Sequence, residues 1–247
     1  MQQNNWIAPP DSLNLESRHV DIWRISSALT VDSVQLLFSS LSNDEKQRAS
    51  SFHFPADRDR YIVSHGSLRD ILRRYLHRQP SEFTFSVNQY GKPSLTDSKL
   101  EFSLSHSNEF ALVAITQERK IGVDVEHIRT EIELEHIASR NFSKSENSEL
   151  MSLPPELRAA GFFNCWTRKE AYIKAHGLGL SLPLDSFDVS LSPDQPVILR
   201  ATRPDLLEAA RWSLLPLAVA PNYAGALAVE GSGLEFRFWD WNASVRK

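Results

Sequence analysis

Three carboxylates and a lysine stand at spacings that suit a divalent cation held against phosphate. In Ile121-Gly122-Val123-Asp124-Val125-Glu126 the apolar residues alternate with Gly122, Asp124 and Glu126, the period of a half-buried strand. Both acids then leave one face, with Cα atoms about 6.5 to 7 Å apart, so two carboxylate oxygens can converge on one ion. In Trp166-Thr-Arg-Lys169-Glu170-Ala-Tyr-Ile-Lys174, the residues Trp166, Glu170 and Lys174 recur every fourth position and share a helical stripe. Mg²⁺ takes few carboxylates, keeps water and shares its shell with substrate phosphate. A lysine one turn beyond the third acid adds a point charge for a pyrophosphate oxygen. Each piece also has an ordinary reading: Asp-x-Glu as a solvated strand face, and Glu with Lys four residues on as a surface ion pair.

Together the segments resemble the signature of the Sfp-type (surfactin synthetase-activating) 4′-phosphopantetheinyl transferases, G-[IV]-D-[VI]-E followed by W-x-x-K-E-[AS]-x-x-K. The run Gly177-Leu-Gly-Leu-Ser-Leu-Pro-Leu-Asp-Ser-Phe187 extends the likeness, as do Tyr90-Gly91-Lys92-Pro93 and Phe102-Ser-Leu-Ser105-His106-Ser107 upstream. The resemblance implies transfer of 4′-phosphopantetheine from coenzyme A to a serine of an apo acyl or peptidyl carrier protein, with release of adenosine 3′,5′-bisphosphate. It implies Mg²⁺ on Asp124, Glu126 and Glu170, charge stabilisation by Lys174, and Glu170 as first candidate for general base. Lys92 would sit in a turn that approaches the adenine and the phosphates, and Ser105 and His106 would bind phosphate. Lys46, Arg48 and Arg60 fall where basic residues of the family meet the 3′-phosphate. The match loosens there, with Ala49 where a second lysine often stands and Tyr61 where a small hydroxyl residue can contribute; Lys46 and Arg48 read equally well as a solvated helix face. The carrier would dock on the stretch from His127 to Phe142. Its Ile128, Ile132, Leu134 and Ile137 also fit an amphipathic helix packing inward.

Without the resemblance, Gly91-Lys92-Pro93 is an ordinary turn, and Ser105-His106 an ordinary strand end. A serine-hydrolase reading of that pair fails, because adjacent strand residues point to opposite faces and no Gly-x-Ser-x-Gly elbow surrounds the serine. Lys169, about 100° around the helix from Glu170, suits a supporting ion pair. Two other function classes stay open: a different Mg²⁺ enzyme acting on a pyrophosphate or nucleotide, and a non-catalytic module that binds coenzyme A or a carrier.

Composition fits a soluble, monomeric, cytoplasmic enzyme. A chain of 247 residues buries roughly 70 to 75 % of its unfolded surface, so no covalent staple is needed. Cys165 is the sole cysteine, which excludes an intrachain disulfide and a cysteine zinc cluster and reads as a buried, inert thiol. The eight histidines form no zinc-hydrolase motif. A net charge of −4 without a basic block gives nucleic acid no electrostatic footprint. The first residues, Met-Gln-Gln-Asn-Asn, lack signal-peptide character, and the apolar runs are too short to span a membrane.

These residues must be positioned by an element order that occurs twice. A strand at 19–26 precedes short helices at 31–52, a long helix at 58–77 and strands at 83–87, 101–105 and 109–116. After the charged turn Gln117-Glu-Arg-Lys120 the order restarts with a strand at 121–126, short helices at 132–151, a long helix at 156–176, and strands at 186–191, 196–201, 211–216 and 223–230. The sequence therefore predicts an α+β (α/β) protein of two similar subdomains, 1–118 and 119–247. The resemblance adds a pseudo-two-fold axis and a coenzyme A site in the cleft between them.

Overall fold

A computed structural model describes residues 4–131, 133–193 and 195–242; Ile132 lies outside the described residues. The first half runs β1 (His19–Ser26), α1 (Val31–Ser40), α2 (Asn43–Ser50), α3 (Pro55–Leu76), β2 (Phe85–Val87), β3 (Pro93–Leu95), β4 (Leu100–Ser107) and β5 (Phe110–Gln117). The second repeats that order as β6 (Ile121–His127), α4 (Leu134–Asn141), α5 (Lys144–Ser152), α6 (Pro155–His176), β7 (Phe187–Val189), β8 (Leu199–Thr202), β9 (Trp212–Pro216) and β10 (Tyr223–Glu230), and then adds β11 (Glu235–Asp240). Among the described residues, no helix is long and apolar enough to cross a membrane.

The two long helices repeat in detail. Each has 22 residues, starts on a proline and ends in a left-handed residue, His77 in one and Gly177 in the other. Proline suits the first helical position because its missing N–H has no partner there in any case, which is why α3 begins at Pro55, three residues before the expected start. Each short helix before them opens with a capping box, Ser42 with Glu45 and Ser143 with Glu146. In both halves that glutamate also pairs with a buried cation on the long helix, Glu45 with Arg69 and Glu146 with Lys169, each at 2.8 Å. The cation then holds the chain that follows its helix. Arg69 Nη1 donates to Pro80 O at 2.6 Å and Phe83 O at 3.1 Å, while Lys169 Nζ donates to Leu184 O at 2.7 Å and Phe187 O at 2.6 Å. The supporting ion pair expected of Lys169 thus exists, deep in the core.

The strands form two main sheets, ordered β11-β1-β5-β4 and β6-β10-β9. Each sheet is covered on both faces, which explains the unbroken apolar run Ala111–Ile115 in β5. One face packs on its own helices: Trp23, Ile25 and Phe102 meet Leu68, Ile71 and Leu72 in the first half. The other faces pack on each other, with Val20, Ile22, Leu112 and Ala114 against Val123, Val125, Leu217 and Leu227. The third core joins the halves and brings the β4 edge alongside β6.

Two features lie outside the sequence expectations. β3 forms a two-stranded hairpin with β2 around the Gly-Lys-Pro turn. β11 pairs in parallel with β1, from His19↔Glu235 to Arg24↔Asp240, so this strand crosses the division at the 117–120 turn and completes the sheet of the first half.

Helix α6 lies directly on β6, and Gly122 permits it. A Cβ at this position would stand 2.0 Å from Ala171 O and 2.4 Å from Ala175 N, both backbone atoms that cannot rotate away. Gly122→Ala is therefore expected to push the helix off the strand, at a cost of about 3 kcal/mol, the upper part of the usual overpacking range. Denaturant unfolding measures it, and a variant as stable as the parent would show that the contact is loose.

Candidate active site

The Gly122 contact sets the Glu170 and Lys174 stripe of α6 beside the acidic face of β6. Asp124 is buried, and its Oδ1 accepts hydrogen bonds from Lys174 Nζ at 2.6 Å and Ser105 Oγ at 2.8 Å. Its other oxygen, Oδ2, is buried with no hydrogen-bond partner. A buried unpaired carboxylate oxygen is costly, and such a cost at a cleft marks a position that a ligand satisfies. Glu126 accepts from Ser107 Oγ through Oε2 at 2.8 Å. Glu170 and Lys174 line a cavity of about 280 Å³ with Tyr90, Gly91, Lys92 and Phe102. The cavity collects residues of both halves.

The acids influence one another. Burial, followed by the charge of Asp124, raises the Glu170 carboxyl above its ordinary range, against the opposing pull of Lys174. Glu126 is likewise raised, first by burial and then by Asp124, with the Ser107 hydrogen bond working the other way. A group whose folded pKa is raised stabilises the fold below its unfolded pKa of about 4.3, and that stabilisation disappears as pH rises through the folded value. In chelator, Glu170→Gln is therefore expected to melt above the wild type at pH 7, with the advantage vanishing toward pH 4. A difference independent of pH would mean that Glu170 does not carry this strain.

The other predicted site residues fall into two sets. Ser105 and His106 leave β4 on opposite sides: Ser105 is buried against Asp124, whereas His106 is exposed. His106 shares a shallow pocket with Arg60; partial burial and then the positive neighbours His65, Lys174 and Arg60 hold its pKa below the ordinary value. Arg60 pairs with Asp57 at 2.9 Å and donates to Asn108 Oδ1 at 3.2 Å. Lys46 turns its ammonium to Ser39 O at 3.2 Å, and Arg48 lies over the Phe52 ring. Lys92 turns its ammonium to the main chain of the second half. Its ammonium donates across the cleft to Ile121 O at 3.2 Å and Ala175 O at 3.1 Å, and burial lowers its pKa. It latches the turn onto the end of α6 and the start of β6, which leaves less of its charge for a phosphate.

Asn88, absent from the sequence reading, completes that latch. Its Oδ1 accepts from the N–H groups of Tyr90 and Lys92, and its Nδ2 donates to Gly177 O at 2.7 Å. An asparagine three residues before the glycine of a Gly-Lys-Pro turn is a local signal for such a side-chain-capped turn. Ser107 was also missed as a site residue. Its alternation with Ser105 was the available signal.

Comparison with known proteins follows the same division of the chain. Residues 120–228 match the family model described as the 4′-phosphopantetheinyl transferase superfamily, and residues 28–118 match the 4′-phosphopantetheinyl transferase N-terminal model. The 4′-phosphopantetheinyl transferase HetI of Nostoc sp. is 39 % identical over 245 residues, covering 98 % of this chain and 100 % of that one. The chain belongs to the 4′-phosphopantetheinyl transferase superfamily. Other members of the superfamily align over about two thirds of it: Sfp of Bacillus subtilis is 34 % identical, covering 67 % of this chain and 73 % of its own, and gsp of Aneurinibacillus migulanus is 32 % identical, covering 68 % and 69 %.

A hard cation fits the acidic cluster. Among the described residues, no three His, Cys, Asp or Glu side chains are gathered closely enough to hold a metal ion by themselves. A magnesium site that borrows substrate phosphate and water needs none. What it needs is oxygen left over, and Asp124 Oδ2 supplies a buried one. Glu126 Oε1, which makes no hydrogen bond among the described residues, supplies a second.

Proposed function

We propose that this chain uses Mg²⁺, held by Asp124, Glu126 and Glu170, to move the 4′-phosphopantetheine group of coenzyme A onto the hydroxyl of a serine in an apo acyl or peptidyl carrier protein, giving the holo carrier and adenosine 3′,5′-bisphosphate. The observation that supports this reading best is the convergence of Asp124, Lys174 and Ser105 at the junction of the halves, beside a cavity lined by Glu170. Bound there, Mg²⁺ supplies positive charge to the pyrophosphate whose central bond breaks. No covalent nucleophile of the protein is required.

Each residue then has a role that follows from its place. Lys174, already neutralising Asp124, is near enough to the acids to meet a phosphate oxygen as well. On this reading His106 meets the phosphates from the first half with Arg60 beside it, while Ser105, on the other side of β4, holds Asp124. Glu170 takes the proton of the carrier serine. Burial and the charge of Asp124 raise its pKa, which strengthens it as a base. Sites for both substrates lie within one chain, which supports a monomeric enzyme, and the lack of a membrane-spanning helix among the described residues is compatible with action in the cytoplasm.

The carrier is expected to dock beyond Glu126, where Leu134 and Ile137 of α4 are half-buried against the second core. Intact-mass measurement of an apo carrier after incubation with coenzyme A and Mg²⁺ tests the function: the carrier should gain one phosphopantetheine mass. Coenzyme A binding without any gain across acyl and peptidyl carriers would favour the binding-module reading.

A further inference from the structure

Side chains, not main chain, join β4 to β6. The two strands are neighbours in separate sheets, and three serines on one face of β4 replace a ladder. Ser103 Oγ accepts the Val123 N–H at 3.1 Å, Ser105 Oγ the Val125 N–H at 3.4 Å, and Ser107 Oγ the His127 N–H at 3.1 Å. Every pair is separated by 20 residues, so the strands run parallel in a constant register. A hydroxyl has one proton to give. Having accepted an N–H of β6, Ser105 gives its proton to Asp124 Oδ1 and Ser107 gives its own to Glu126 Oε2, both at 2.8 Å. Ser103 meets no carboxylate, because the corresponding residue of β6 is Gly122.

We propose that Ser107 is a positioning residue that sets the Glu126 carboxylate for the cation. The proposal rests on the reading of Glu126 as a cation ligand. Asp124 is short, buried and held twice, by Ser105 and Lys174. Glu126 is longer, half-exposed, and held by Ser107 alone among the described residues. A free glutamate loses side-chain entropy when it is fixed. The Ser107 bond meets much of that cost beforehand. It occupies one oxygen and leaves Oε1 for the ion, and partners of this kind tune the affinity of metal-binding carboxylates. The same hydroxyl is tied to the backbone N–H of His127, so the carboxylate takes its position from the strand register that joins the two halves.

The test is direct titration of Mn²⁺ into the full chain saturated with coenzyme A, with free Mn²⁺ followed by electron paramagnetic resonance. Ser107→Ala should weaken Mn²⁺ binding about tenfold, the lower end of the range for such partners, and Ser107→Thr should restore it. Ser103→Ala is the control. It removes the same kind of bond to β6 but faces no acid, so it should lower the melting temperature and leave Mn²⁺ affinity at the wild-type value. If Ser107→Ala melts below the assay temperature, Ser107→Cys, with a weaker donor of similar size, should show an intermediate loss. Wild-type affinity in Ser107→Ala beside a weakened Glu126→Ala would overturn the proposal and leave the cation site intact. Equal losses in Ser103→Ala and Ser107→Ala would also overturn it, by assigning the effect to the strand junction. An unchanged Glu126→Ala would remove Glu126 from the cation site, and the proposal with it.

Discussion

Asp124→Asn is expected to lower the single-turnover rate of transfer by about 10² to 10³, the loss typical of a main electrostatic contributor, without unfolding the protein. Asparagine keeps the volume and can still accept from Ser105 and Lys174 through its one oxygen. Its amide nitrogen then occupies the place of the unpartnered Oδ2, turning an acceptor into a donor that cannot ligate a cation. The substitution also removes the negative charge that Lys174 now neutralises at 2.6 Å. Lys174 should remain able to hold phosphate, so coenzyme A affinity without added metal should fall little. Transfer near the wild-type rate at saturating Mg²⁺ would remove Asp124 from the site.

The largest effect on stability is expected from Lys169→Ala, at about 3 to 5 kcal/mol, the cost of removing one member of a buried ion pair. Lys169 and Glu146 are 0 % and 1 % exposed, so the carboxylate left behind has no water to turn to. Two backbone carbonyls, Leu184 O and Phe187 O, lose their donor at the same time. Against a total of about 5 to 15 kcal/mol for an ordinary domain, this is enough to unfold much of the population at moderate temperature. The matching change Arg69→Ala should cost less, because Glu45 retains 14 % exposure. Urea unfolding of both variants measures the contrast, and a loss below about 1 kcal/mol for Lys169→Ala would mean that the pair is hydrated.

How legible the molecule was in its sequence depended on the range of the signal. The alternation of Ile121, Val123 and Val125 with the acids marks a strand, and the four-residue recurrence of Glu170 and Lys174 marks a helix, because both patterns are local. Their meeting was readable only through resemblance, since the Gly122 contact that joins them spans some 50 residues. A supporting ion pair for Lys169 could be expected from its angle to Glu170, but neither its burial nor its partner: nothing in the spacing of Ser143 and Glu146 says that a capping glutamate also reaches the next helix. Lys92 looks free in sequence because a lysine in a turn usually is. The carbonyls that engage it belong to the other half. For β11, the sequence did carry a trace in the alternation Phe236, Phe238 with Glu235 and Arg237. Its pairing partner lies at the opposite end of the chain.

That pairing bears on how the molecule is made. Residues Arg24 and Asp240, hydrogen-bonded between β1 and β11, are 216 positions apart, so the contact must wait until every element between them has been made. Contacts of such separation carry the largest loop-closure entropy and form late. Until then β1 presents an open edge, the kind of surface on which nascent chains aggregate, even though the rest of its half has already been synthesised. A chain cut short before Glu235 is therefore expected to hold both long helices complete and its first sheet still unsealed.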